Sequence, residues 1–174
     1  ANNTVVVRPG NYTGQINLLN GQRLLGSGSV LAQGTPVRPT LTGPIILADG
    51  NTVDFIRIAN APNDAIDGDG QNGGTVTNCQ IDTTTGNVGS GIQAQNVRGN
   101  WTISNNTIAN ALGAGIDFRT SGADTAVAVM QNNQITNNAF NAIGFVTGNT
   151  SNLRAQITGN TMTGNQAGAT FEII

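Results

Sequence analysis

The residues of this 174-residue chain best equipped for chemistry are a few carboxylates with one guanidinium beside them. Asp67 ends Ala65-Ile66-Asp67 and Asp117 ends Gly115-Ile116-Asp117, with Gln93 in the same place in Gly91-Ile92-Gln93 between them. Two carboxylic acids at a set separation can cleave a glycosidic bond, one as acid and the other as base or nucleophile. Arg119 follows Asp117 by two residues, on the same side of an extended strand, where it can clamp an anion or pair with that Asp. The catalytic candidates are Asp67, Asp117 and Arg119; Gln93, Asp117 and Arg119 are the candidates for holding a ligand without reaction. The competing reading has no catalytic residue: these are outward polar groups on a strand, with Asp117 and Arg119 as a surface ion pair.

Asp64, Asp67 and Asp69, alternating with Gly68 and Gly70, form the densest acidic stretch. Oxygen ligands in a glycine-rich loop suit Ca²⁺, so these three are the metal candidates. Their spacing matches neither the twelve-residue calcium loop nor a nonapeptide calcium repeat, and Asp-Gly is also ordinary turn chemistry. The expected cofactor set is therefore none, with calcium as the one exception to test. Trp101 and Tyr12 are single aromatics, read as part of a wall or an end cover. Thr83-Thr84-Thr85 invites comparison with threonine arrays that order water, but no row of Thr is evident on successive repeats. Asn-x-Thr/Ser triplets at Asn11, Asn100, Asn105 and Asn149 are expected in any chain so rich in Asn and Thr.

What positions these residues is a repeat. Val76, Ile103, Met130 and Ile157 recur at steps of 27, as do Ile81, Ile108, Ile135 and Met162. A polar series keeps the same step: Asn106, Asn133 and Asn160, with Cys79 one repeat earlier and Asn78, Asn105 and Asn132 immediately before. Ile66, Ile92, Ile116 and Ile143 follow at steps of 26, 24 and 27. Nearer the N-terminus, Ile16 to Ile45 and Leu24 to Val53 are 29 apart, then Val53 to Val76 and Ile58 to Ile81 are 23 apart. Constant strands with variable spacing mean that the turns absorb insertions, the longest over Leu31 to Thr40.

The strands are short and alternate with period two, and each is bounded by Gly or Asn, which tolerate a left-handed bend. Stacking equivalent positions puts Ile on Ile inside and Asn on Asn at the corners. The few aliphatics of one coil cannot offset the entropy of ordering some two dozen residues, so coils must stack. The fold class is all-β: a right-handed parallel β-helix of about six coils with no long helices, one domain over residues 1–174. Cys79 fills the bend that later coils give to Asn, as a small buried residue.

Composition narrows the function classes. Charged residues are only 9% of the chain, against roughly 25% in an average domain. Seven Arg, no Lys and no His set against nine acids leave no basic patch, so no nucleic acid is expected as a partner. No apolar run approaches a membrane span, and a lone Cys forms no internal disulfide.

Ser104-Asn105-Asn106-Thr107-Ile108 followed by Gly113-Ala114-Gly115-Ile116 resembles the parallel β-helix repeat of the pectin-lyase-like superfamily. Gln131-Asn132-Asn133-Gln134-Ile135 and Thr158-Gly159-Asn160-Thr161-Met162 repeat its first half. Thr4-Val5-Val6-Val7-Arg8-Pro9-Gly10-Asn11-Tyr12 is similar to the opening segment of that fold. In character the chain is closest to bacterial surface and autotransporter passenger-type members. The resemblance implies the fold but leaves function open, because the family spans lyases, hydrolases, tailspikes and passengers. Family hydrolases use an adjacent Asp-Asp pair, a His and a basic clamp, none of which this chain has.

The expectation is a non-catalytic bacterial surface or secreted module, a stalk or adhesin, extracellular, with a polysaccharide or a host or cell-surface protein as partner. The alternative is a polysaccharide lyase or glycoside hydrolase for pectin-like substrates, or an inactive remnant of one. The chain stops at Phe171-Glu172-Ile173-Ile174, in what reads as a strand without a cap. An open end of this kind predicts a longer solenoid or self-association.

Overall fold

Aliphatic and β-branched runs of two to seven residues, bounded by Asn and Gly, become strands, and no helix forms among the described residues. The computed structural model describes residues 3–30, 32, 37–86, 88–148 and 150–166. Half of the long turn at 31–40 and the whole Phe171–Ile174 stretch fall outside that set, as does Asn149.

Three parallel sheets result. The first is Thr4–Val7, Arg23–Gly26, Asn51–Asp54, Asn72–Thr77, Arg98–Ser104, Thr125–Gln131 and Asn152–Thr158. The second is Asn11–Tyr12, Thr40–Leu41, Arg57–Ala61, Gln80–Thr84, Thr107–Ala109, Gln134–Thr136 and Thr161–Thr163. The third is Ile16–Asn17, Ile45–Ile46, Ile66–Asp67, Ile92–Ala94, Ile116–Thr120 and Ile143–Thr147. The chain visits them in rotation and completes the circuit six times, so every sheet neighbour lies one coil away.

The registers are those the spacings require. Leu41, Ile58, Ile81, Ile108, Ile135 and Met162 lie in one column. Leu24, Val53, Val76, Ile103, Met130 and Ile157 form the second. Ile16, Ile45, Ile66, Ile92, Ile116 and Ile143 form the third. The three columns meet in one continuous core.

The corner between the first and second sheets is turned by a single left-handed residue: Phe55, Asn78, Asn105, Asn132 or Gly159, with φ between 52° and 67°. The next residue points inward. There Asn106, Asn133 and Asn160 form a ladder: the Asn133 side-chain amide donates to Ile103 O at 2.9 Å and to Asn160 Oδ1 at 2.9 Å. Its Oδ1 accepts from both the backbone and the side-chain nitrogen of Asn106 at 3.0 Å. Cys79 takes the ladder position one coil earlier, buried, with its backbone N–H on Asn106 Oδ1. A second ladder, not anticipated from the sequence, stands at the next corner. Asn138 donates to Asn165 Oδ1, and Asn165 to Ile135 O.

Two expectations change. Trp101 is neither wall nor cover: it lies in the core, edge-on to Phe118 at 5.9 Å, with Phe145 tilted against Phe118 beyond it at 5.9 Å. Gly68 and Gly74 make the room, since a Cβ at either would come within 2.6 Å and 2.8 Å of the indole. Threonine also does recur on successive coils, since Thr52, Thr75 and Thr102 are in register on the outside of the first sheet.

Candidate functional site

The outer face of the third sheet brings the sequence candidates together. The residue after each inward Ile points outward by the two-residue alternation of a strand, and these residues stack as Ile46, Asp67, Gln93, Asp117 and Gly144. Four strand spacings make this column about 19 Å long. Asp67 and Asp117 are two spacings apart, about 10 Å, at the outer limit of the ~6.5–9.5 Å gap of an inverting glycosidase.

A chain of hydrogen bonds crosses the face. Asp67 Oδ1 accepts from the Asp69 backbone N–H at 3.0 Å. Asp69 accepts from Gln93 Nε2 at 3.1 Å and from the Gln95 backbone at 2.7 Å. Gln95 Nε2 reaches Asp117 Oδ2 at 3.1 Å, and Arg119 Nε donates to Asp117 Oδ1 at 2.8 Å. The Asp117–Arg119 pair therefore exists, but its acid is only 8% exposed, where the sequence reading had it solvating the strand. The cause is the chain on either side, with Gln95 from the coil below and its own Arg119 folding over it.

Asp64 lies in the turn just before the third-sheet strand of its coil, where its Oδ1 accepts from the Ser90 backbone at 2.7 Å. Burial, with Asp67 and Asp69 adding negative charge, raises the Asp64 pKa above its ordinary value. Burial likewise raises that of Asp69, with Asp67 and Asp117 nearby. Among the described residues no three His, Cys, Asp or Glu side chains are grouped so as to hold a metal ion. Asp64, Asp67 and Asp69 accept hydrogen bonds from backbone and side-chain amide N–H groups.

Two cavities open along this face. One of about 350 Å³ lies between Pro44, Ile46, Asn63, Asp64 and Asp67, and one of about 260 Å³ between Asp117, Arg119, Phe140, Asn141, Gly144 and Val146. Val88 borders both, so the two follow one another along the same face of the solenoid, and the stretch they mark is termed the groove. One rim is formed by the turns leading from the second sheet to the third, which expose Val88 (63%), Leu112 (42%) and Phe140 (48%) on successive coils. The sequence reading missed this apolar rim. These residues follow no fixed step, because they sit in the turns that vary in length.

A parallel β-solenoid with asparagine-laddered corners and one grooved sheet face defines the class of protein. The sequence model of the right handed beta helix region matches residues 20–167, and the chain belongs to that family, which sets the hand of the coil. The match is consistent with the pectin-lyase-like resemblance. No curated protein and no solved structure matches the chain. Among the described residues no helix is long and apolar enough to cross a membrane.

Proposed function

We propose that this β-helix is a non-catalytic recognition module of a bacterial secreted or surface protein, a stalk or adhesin in character, whose third-sheet groove holds an extended polysaccharide strand. The observation that carries this reading is the groove itself: an amide and carboxylate floor over three successive coils, Asp67, Gln93 and Asp117, beside an apolar rim of Val88, Leu112 and Phe140. Sugar rings present a hydroxyl edge and an apolar face, and such a chain laid along the solenoid meets polar floor and apolar rim together. Amides and carboxylates satisfy hydroxyls from both sides, as acceptors and donors. A rigid stack of coils also supplies a preformed surface, which lowers the ordering cost of binding.

A glycan array probed with the labelled chain tests the reading, and retention of at least one polysaccharide without release of shorter products is the expected result. An enzyme for pectin-like chains, or a remnant of one, is the alternative, and the alignment of Asp67 and Asp117 in one outward column is what favours it. Asp117 carries a hydrogen bond on each oxygen, from Arg119 and Gln95, an arrangement better suited to holding than to shuttling a proton. Product formation that disappears in both Asp67→Ala and Asp117→Ala, with the fold intact, would reverse the assignment.

A further inference from the structure

We infer that the smaller cavity is the anchoring subsite of the groove and that it takes one uncharged pyranose ring, discriminating against uronic acids. The inference rests on the recognition reading above and names the sugar class it selects.

Size comes first. At about 260 Å³ the cavity falls below the ~300–1,000 Å³ of sites that enclose larger ligands, so it admits a single ring. Its walls are apolar: Phe140, half exposed on its turn, faces the same space as Val88 and Val146. An aromatic held out of the core on a turn offers a flat apolar surface that is costly to leave in water. The C–H face of a pyranose covers it.

The floor decides the charge. Arg119 Nε lies 2.8 Å from Asp117 Oδ1, so the one guanidinium lining the cavity is already neutralised by the carboxylate beside it. A hydroxyl, which donates and accepts, satisfies Asp117 and Arg119 together and can also use the Asn141 amide. A uronate's carboxylate meets Asp117 directly, with Asp67 and Asp69 two coils away on the same face and no second cation lining either cavity. Like charges across a partly desolvated surface oppose binding.

The test uses the whole chain with short oligomers of glucose, mannose and galactose and, separately, of galacturonate, followed by titration calorimetry. Neutral oligomers are expected to bind and galacturonate oligomers not to. Phe140→Ala should weaken the neutral ligand about tenfold with an unchanged unfolding midpoint, and Phe140→Trp should restore it. Asp117→Asn, which keeps an oxygen for Arg119, should weaken neutral binding as well. Preference for galacturonate, or neutral binding indifferent to Phe140→Ala, overturns the subsite while leaving the groove reading in place. Failure of every glycan, neutral or acidic, on a folded protein overturns both.

Discussion

Asn133 is fully buried, and both ends of its amide are occupied: nitrogen by Ile103 O and Asn160 Oδ1, oxygen by the backbone and side chain of Asn106. Truncation to Ala strands a backbone N–H and a backbone carbonyl in the core. Each unsatisfied group costs about 1–3 kcal/mol, so Asn133→Ala is expected to lower stability by about 2–4 kcal/mol in denaturant unfolding. Cys79 poses the reverse case. Its thiol stands 3.8 Å from Val53 O, the carbonyl equivalent to those that Asn106 and Asn133 engage in later coils. Burial pushes that thiol up to about 12, so it should resist alkylation until the chain unfolds. Cys79→Asn extends the ladder by a rung and is expected to add about 1 kcal/mol. A destabilised variant would show that this corner cannot admit an amide.

At the scale of strands and corners, legibility followed the period. The columns through Ile81, Ile108 and Ile135 were readable because 27-residue steps put like on like, and register carried that pattern directly into the core. The same step joins Asn138 to Asn165, yet that ladder escaped notice because Ala111 holds the preceding position and hides the series. Thr52, Thr75 and Thr102 were missed for a related reason: their steps of 23 and 27 break the period while their register does not. Asp67, Gln93 and Asp117 were placed correctly, but the rim was not, since turns of unequal length carry no periodic signal. Trp101 is the clearest non-local case. Its site exists because Gly74, one coil below, and Gly68, on the facing sheet, both leave their inward positions empty. The Asp-Gly-Asp-Gly stretch that reads as calcium chemistry thus owes its first glycine to core volume. Gly74→Ala is expected to cost about 1–3 kcal/mol through overpacking and to alter the near-ultraviolet circular dichroism of the single tryptophan. Gly148→Ala, whose Cβ meets nothing closer than 3.7 Å, serves as the control and should stay within about 0.5 kcal/mol of wild type.

For the molecule as a whole, four of the nine acids, Asp64, Asp67, Asp69 and Asp117, lie along the third-sheet face, and this gives its stability a particular pH dependence. Asp64 and Asp69 both have folded-state pKa values above the ordinary 3.8, chiefly from burial and then from neighbouring carboxylates, Asp67 and Asp69 for Asp64, Asp67 and Asp117 for Asp69. A carboxyl whose pKa is raised on folding binds its proton more tightly in the native state. Stability from these two groups is therefore fully present below about pH 3.8 and is lost as the pH rises through their folded values. The sign is opposite to that of a carboxylate whose pKa is lowered by an ion pair. Asparagine at both positions keeps an acceptor for the Ser90 and Gln95 backbone groups and removes the charge. The double variant Asp64→Asn, Asp69→Asn is expected to exceed wild type in unfolding free energy at pH 7, with the gap closing as the pH falls toward 3.8. Urea unfolding at a series of pH values measures the gap directly. A gap that widens on acidification would mean that the charged forms of these two acids are favoured by the fold, and that the groove floor is electrostatically relaxed before any ligand arrives.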